Sequence, residues 1–173
     1  MERVNVFKNY KNKFFVETGC FTGDGIQFAI ESGFEKIYSI ELSDKYFNIC
    51  KERFKDNRNV TMIKGDSALI LFDVIKELND SITFWLDGHF CYGDTAYGLY
   101  SAPLIQELEQ ISKHAIKTHT ILVDDMRVWK KENVGDYGFY NNDIYDACKK
   151  INENYKFKFE NGVEVNDILV AYL

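Results

Sequence analysis

The chain has 173 residues, 46% of them hydrophobic and 28% charged, which is the balance of a water-soluble domain large enough to bury a sizeable core. Its net charge of -6 argues against nucleic-acid binding, because such proteins carry a basic footprint, and Lys117, Lys130 and Lys131 make no stripe. No apolar run approaches the ~20 residues needed to cross a bilayer, and Met1 to Asn5 lack the apolar region of a signal peptide, so a cytoplasmic protein without membrane contact is expected.

Residues 1–13 are polar and predict a single helical turn leading into a strand. That strand is Phe14-Phe15-Val16-Glu17, and Thr18-Gly19-Cys20-Phe21-Thr22-Gly23-Asp24-Gly25 turns from it into a helix. Ile26, Ala29, Ile30 and Gly33 recur at i, i+3, i+4, i+7 on that helix, and Gly33 suits a left-handed cap at its end. Lys36 to Leu42 reads as a second strand. Ser43 is then the N-cap of a helix with Tyr46, Phe47, Cys50 and Phe54 on its apolar face. Val60 to Asp66 is a third strand, followed by a helix with Ala68, Leu71, Phe72 and Ile75 inward.

Ser81 to Asp87 is a fourth strand, followed by a long loop from Gly88 to Ala102. A helix carrying Leu104, Leu108, Ile111 and Ala115 leads to a fifth strand, Thr120 to Asp125. Met126 to Asn142 reads as a second long loop, and Ile144, Ala147, Cys148 and Ile151 mark a late helix. Tyr155 to Glu160 and Asp167 to Leu173 are extended runs separated by Asn161-Gly162, a hairpin signal that makes the closing pair antiparallel. Five strand–helix alternations and a hairpin predict an α/β fold with a doubly wound, mostly parallel sheet. No linker, repeat or low-complexity segment interrupts residues 1–173, which are read as one domain. Cys20, Cys50, Cys91 and Cys148 contain no C-x-x-C pair, so neither a disulfide framework nor a thiolate zinc site is expected.

Strands one to five each finish at or beside a carboxylate: Glu17, Glu41, Asp66, Asp87, and Asp124 with Asp125. Ligands of open α/β sheets bind beyond the carboxyl ends of the strands, so these acids are delivered to one rim. Any single one could instead cap the following helix. Glu41 stands 22 positions after Gly19, where a nucleotide-binding unit places its ribose-binding acid, whether the ribose belongs to NAD or to S-adenosylmethionine. The glycine spacing tips that choice. A dinucleotide fingerprint needs a glycine two residues after Gly19, and Phe21 occupies that place, where its side chain crowds a pyrophosphate.

Glu17 followed by Gly19, Gly23 and Gly25 resembles motif I of class I S-adenosylmethionine (SAM)-dependent methyltransferases. The resemblance runs from about Phe14 to Leu173 and implies a seven-stranded sheet in the order 3-2-1-4-5-7-6 with an antiparallel C-terminal hairpin. It implies that Glu17 and the loop Thr18, Gly19, Cys20, Phe21, Thr22 and Gly23 face the methionine part of SAM. Glu41 with Leu42 would meet the ribose, and Asp66 with Ser67 the adenine. Loop N–H groups at a helix start suit a carboxylate, while acids suit ammonium and sulfonium charges.

Asp87, Asp124 and Asp125 converge on neighbouring strands with no cysteine cluster, a donor set that suits Mg²⁺, Mn²⁺ or Ca²⁺. Consecutive strand residues face opposite ways, so Asp124 and Asp125 share an ion only if the strand ends and the chain turns there. The Asp87…Asp124-Asp125 pattern and its Leu-Asp-Gly segment resemble metal-dependent O-methyltransferases of the macrocin and sugar type. That group commonly has an acidic base two residues after its first ligand, and here the residue is His89. Histidine is a competent base near neutral pH, and His89 could equally be a fourth ligand or a substrate contact. His114 and His119, five apart, miss helical pairing and are read as surface residues near a helix end.

Tyr92, Tyr97, Tyr100, Trp129, Tyr137 and Tyr140 sit in the two long loops, as a lid or acceptor platform or as anchors into the core. Arg127 either neutralises an acidic acceptor or pairs with a neighbour. The expected reaction is metal-assisted methyl transfer from SAM to a hydroxyl of a sugar or small metabolite. The loops or a second subunit of a homo-oligomer would close the acceptor side. Three rivals remain at this point: a metal-independent methyltransferase, a non-catalytic SAM-fold binding subunit, and an NAD-dependent oxidoreductase.

Overall fold

The computed structural model describes every residue except Met1, Cys91, Tyr92 and Asp94, so the expectations for Cys91 and Tyr92 lie outside the described residues. Seven strands form one sheet in the order β3-β2-β1-β4-β5-β7-β6. They are β1 Phe14–Thr18, β2 Lys36–Glu41, β3 Val60–Lys64, β4 Ile82–Leu86, β5 Thr120–Val123, β6 Lys156–Glu160 and β7 Ile168–Tyr172. The first five run parallel, and β7 pairs antiparallel with both β5 and β6. The helices are α1 Glu2–Asn9, α2 Asp24–Ser32, α3 Asp44–Arg53, α4 Ser67–Ile75, α5 Leu104–Ile111, α6 Val134–Tyr137 and α7 Asn141–Ile151. No helix among the described residues is long and apolar enough to cross a membrane.

The two-residue period of the strands divides the core in two. Val16, Phe84, Ile121 and Leu169 face α4, α5 and α7 on one side of the sheet. Phe15, Trp85, Leu122 and Val170 face α1, α2 and α3 on the other. Both sides are covered, which is why the central strands read as unbroken apolar runs rather than alternations. Gly33 ends α2 in the left-handed conformation and donates to the Ala29 and Ile30 carbonyls. The N-terminal helix is longer than the single turn expected, because Phe7 anchors it, its ring 5.0 Å from both Phe15 and Trp85.

Three further expectations need correction. Helix α5 stops at Ile111, so Ala115 is exposed beyond its end rather than on its apolar face. The Met126–Asn142 stretch is not one loop, since it holds a 3-10 turn at Lys131–Asn133, α6 and the start of α7. Ser43 takes the expected N-cap place of α3, without a side-chain cap bond, and its amide donates to Glu41 Oε1 at 2.6 Å. His114 and His119 are not on the surface: each is 1% exposed. The chain turns back after Ile111, and the two rings meet with His114 Nδ1 3.1 Å from His119 Nε2. His119 Nδ1 accepts from the Ile82 amide, and His114 Nε2 lies 3.0 Å from the Leu78 carbonyl.

Candidate functional site

Strands β1 and β4 are neighbours whose onward connections run to opposite sides, the switch point at which an open α/β sheet leaves a crevice. The hydrogen-bond ladder continues just past the strand ends: Gly19 donates to Ile40, Asp87 to Thr18, and Asp124 to Leu86. Parallel register therefore carries the acidic ends of the strands to one level. Above them opens a cavity of about 570 Å³, within the usual size range of small-molecule sites.

Of the residues expected at the site, Gly19, Phe21, Glu41, Leu42, Asp66, Ser67, Asp87, His89, Asp124 and Asp125 line this cavity. Glu17, Thr18, Cys20, Thr22 and Gly23 do not. Glu17 is buried on the α2 side, where it accepts from Ser39 Oγ at 2.6 Å. Cys20 turns inward, its Sγ 3.2 Å from Cys50 Sγ. Thr22 offers its carbonyl to Arg53, and Gly23, at φ 91, lies under the Phe54 ring.

The loop holds its shape through Glu41. Its Oε2 accepts from the amides of Cys20 and Phe21 at 3.0 and 3.2 Å, so an acid at the end of β2 fastens the turn after β1. Gly19, at φ 78, brings the same loop against β4: a Cβ there would lie 2.8 Å from the Asp87 carbonyl. Phe21 takes a left-handed φ of 46, which turns its ring onto Tyr46 with centroids 4.4 Å apart. Asp66 combines two roles, since Oδ1 caps α4 through the Ala68 amide and Oδ2 accepts from Leu99 at 2.9 Å. The backbone at Leu99 thus lies over the β3 end of the cavity, beside Gly98 and Tyr100, which line it.

On the β4–β5 side the acids separate into two groups. Asp87, His89 and Asp125 each offer a ligand atom within 4.8 Å of one another, and so do Asp124, Asp125 and Asp167. Asp125 belongs to both because β5 ends at Val123 and Asp125 adopts φ 60, reversing its side chain relative to strand alternation. His89 Nδ1 lies 3.8 Å from Asp87 Oδ1, and Nε2 lies 3.4 Å from Asp125 Oδ2. Trp129 meets the imidazole edge-on, its ring centroid 5.4 Å away. Burial lowers the His89 pKa, Asp125 opposes that shift and Arg127 reinforces it.

Arg127 pairs with neighbours, one of the two roles its position allowed. Its Nη1 lies 2.6 Å from Asp125 Oδ1 and also bonds Asp167 Oδ2. Among the loop aromatics, Trp129 is an anchor, 3% exposed and donating from Nε1 to the Asp124 carbonyl. Tyr100 lines the cavity and Tyr97 is exposed.

No protein-family model and no curated protein matches the sequence. Solved structures do match its shape. An SAH-bound methyltransferase from Podospora anserina is 13% identical at a TM-score of 0.65, covering 98% of this chain and 75% of its own. A putative caffeoyl-CoA O-methyltransferase from Staphylococcus aureus is 11% identical at a TM-score of 0.63, with coverages of 98% and 80%. An O-methyltransferase from Bacillus cereus in complex with SAH is 13% identical at 0.62, with coverages of 98% and 78%. The chain has the class I methyltransferase fold. The methyltransferase sheet order, antiparallel edge included, is that expected from the sequence.

Three participants at the rim of this methyltransferase fold escaped the sequence reading. Asp167 enters from the β6–β7 connection, and Val163 from the same connection lines the cavity. Glu107 stands on the buried face of α5 with Leu104, Leu108, Gln110 and Ile111, and accepts from Ser67 Oγ at 2.5 Å. An acid at an inward helical position was the available signal for Glu107. Asp167 and Val163 carried none, because only the tertiary fold brings that connection to the rim.

Proposed function

We propose that the chain transfers a methyl group from SAM to a hydroxyl oxygen of a sugar or other small metabolite, with His89 as the general base. The observation that carries this reading is the Asp87–His89–Asp125 cluster on the rim of the cavity that Glu41 and Asp66 line. The Gly19 cradle, the Glu41-fastened loop and the Asp66-Ser67 corner fit a nucleoside-bearing donor. SAM, when bound there, supplies an electrophilic methyl on a sulfonium. Neutral His89 takes the acceptor proton. Asp125, beside Nε2, orients the ring with its lone pair on Nδ1, on the Asp87 side, and steadies the imidazolium that forms.

Two carboxylates and a nearby nitrogen also fit a hard divalent cation. Asp87 and Asp125 would hold Mg²⁺ or Mn²⁺, which would lower the pKa of the acceptor hydroxyl, with Asp124 behind them. A metal-independent reaction is the second reading, favoured by the Arg127 guanidinium already paired with Asp125. The deciding assay measures SAH formation from SAM over a panel of sugar and metabolite hydroxyls, with Mg²⁺ or with a chelator. His89→Asn is expected to lower turnover by about 10²- to 10⁴-fold. Turnover that survives the chelator removes the metal. SAM binding without SAH formation on any acceptor would reduce the chain to a binding subunit.

A further inference from the structure

Beneath the cavity lies a carboxyl that the proposed reaction does not use. Glu107 of α5 is 1% exposed, it accepts from the Ser67 hydroxyl, and the Thr18 side chain lies beside it. On its third side is Gly88, where an added Cβ would come within 3.2 Å of Glu107 Oε1 and 3.3 Å of Thr18 Oγ1. Ser67 and Gly88 both face the cavity. One hydroxyl and one bare stretch of backbone therefore separate this carboxyl from whatever the cavity holds. The groups packed on it are Thr18 from β1, Ser67 with charged Asp66 at the start of α4, and Gly88 preceded by Asp87 after β4.

We propose that Glu107 is a buried counter-charge that favours the cationic methyl donor SAM over its neutral product SAH through the wall made by Gly88 and Ser67. This rests on the methyltransferase reading above. SAM carries a sulfonium, an ammonium and a carboxylate, for a net charge of +1, whereas SAH has lost the sulfonium charge. An ionised carboxylate behind a thin, water-poor wall stabilises only the former. Burial pushes the Glu107 pKa up to about 7, the Ser67 and Thr18 hydroxyls restrain the rise, and Asp66 adds to it. SAM binding then draws Glu107 into its ionised form and releases a proton, and SAH binding does not. At an effective dielectric of about 20, two opposite unit charges about 10 Å apart attract strongly enough for about a tenfold preference or more. Glu107 is thus a specificity residue that touches no substrate.

The test is titration calorimetry of SAM and SAH on the wild-type and Glu107→Gln chains at about pH 8.5, where the acid is mostly ionised, with a chelator present. Glutamine keeps the acceptor for Ser67. The Kd for SAM is expected to rise about tenfold in the variant, and that for SAH to stay within about twofold. Equal weakening of both ligands would mark a merely structural residue and overturn the proposal, and so would an unchanged SAM/SAH ratio. A second measurement stands even if the variant does not fold. In wild type at about pH 6.5, buffers of different ionisation enthalpy should report proton release with SAM and none with SAH, and equal release refutes the idea. A wild-type chain that binds neither ligand overturns the methyltransferase reading itself, a result recognisable because both ligands fail together.

Discussion

His119 is expected to make this fold acid-sensitive in a window of its own. Its Nδ1 accepts the Ile82 amide hydrogen at 3.1 Å, its Nε2 lies 3.1 Å from His114 Nδ1, and His114 Nε2 reaches the Leu78 carbonyl. That chain of bonds is complete with both rings neutral, since each then has one donor and one acceptor nitrogen. Protonating His119 Nδ1 would set an N–H against the Ile82 N–H inside the core. Burial lowers the His119 pKa to about 4, His114 and Lys117 act in the same direction, and the Ile116 backbone opposes them. The unfolded chain titrates at about 6.5 and so binds more protons in between. The contribution is full above about pH 6.5 and is lost as pH falls towards 4. At about pH 4.5 the loss is on the order of 2.5 kcal/mol, from ~1.36 kcal/mol per pKa unit, against a total stability of about 5–15 kcal/mol.

Urea unfolding at about pH 7.5 and 4.5 measures this, with His119→Gln as the reference. Glutamine can accept from Ile82 and donate to His114, yet it cannot titrate. Carboxylate effects are common to both chains, so wild type should lose about 2 kcal/mol more than the variant over that interval. Parallel losses would refute the assigned tautomers and the burial argument together.

Three further outcomes are expected. Gly25→Ala would improve helix propensity but place a Cβ 1.9 Å from Glu17 Oε1, on a carboxylate locked by Ser39. Thermal melting should show a loss of about 2–4 kcal/mol, and a neutral result would mean that Glu17 is free to move. Glu41→Ala removes the acceptor of the Cys20, Phe21 and Ser43 amides; urea unfolding should register a loss of about 3 kcal/mol or more, with weakened SAM binding. Arg127→Met strips the guanidinium from Asp125 and buried Asp167, which keeps donors from the Arg127, Val163 and Glu164 amides. A cost of about 2 kcal/mol is expected, below that of a fully stranded charge. Mg²⁺ should then raise the melting temperature of this variant more than that of wild type, because Asp125 is freed to hold it.

What the sequence made legible was whatever a local period encodes. Parallel strands that each end in an acid must present those acids at one rim, so the sequence alone brings Glu41, Asp66 and Asp87 to one cavity. What stayed hidden depended on contacts between distant segments. His114 and His119 fail every helical spacing rule because the helix has already ended at Ile111, and their partners Leu78 and Ile82 lie more than thirty residues earlier. Glu17 sits in the motif that first suggested the fold, yet the space beside it is filled by Gly25, whose missing side chain lets the carboxylate pack under α2. The motif here is a packing device as much as a binding one. Asp125 shows the opposite case. Strand alternation would have turned it away from Asp87, and a single left-handed residue, its φ of 60 at the point where β5 stops, returns it to His89. The chemistry available at this rim therefore rests on where one four-residue strand ends, a boundary that periodicity alone does not resolve.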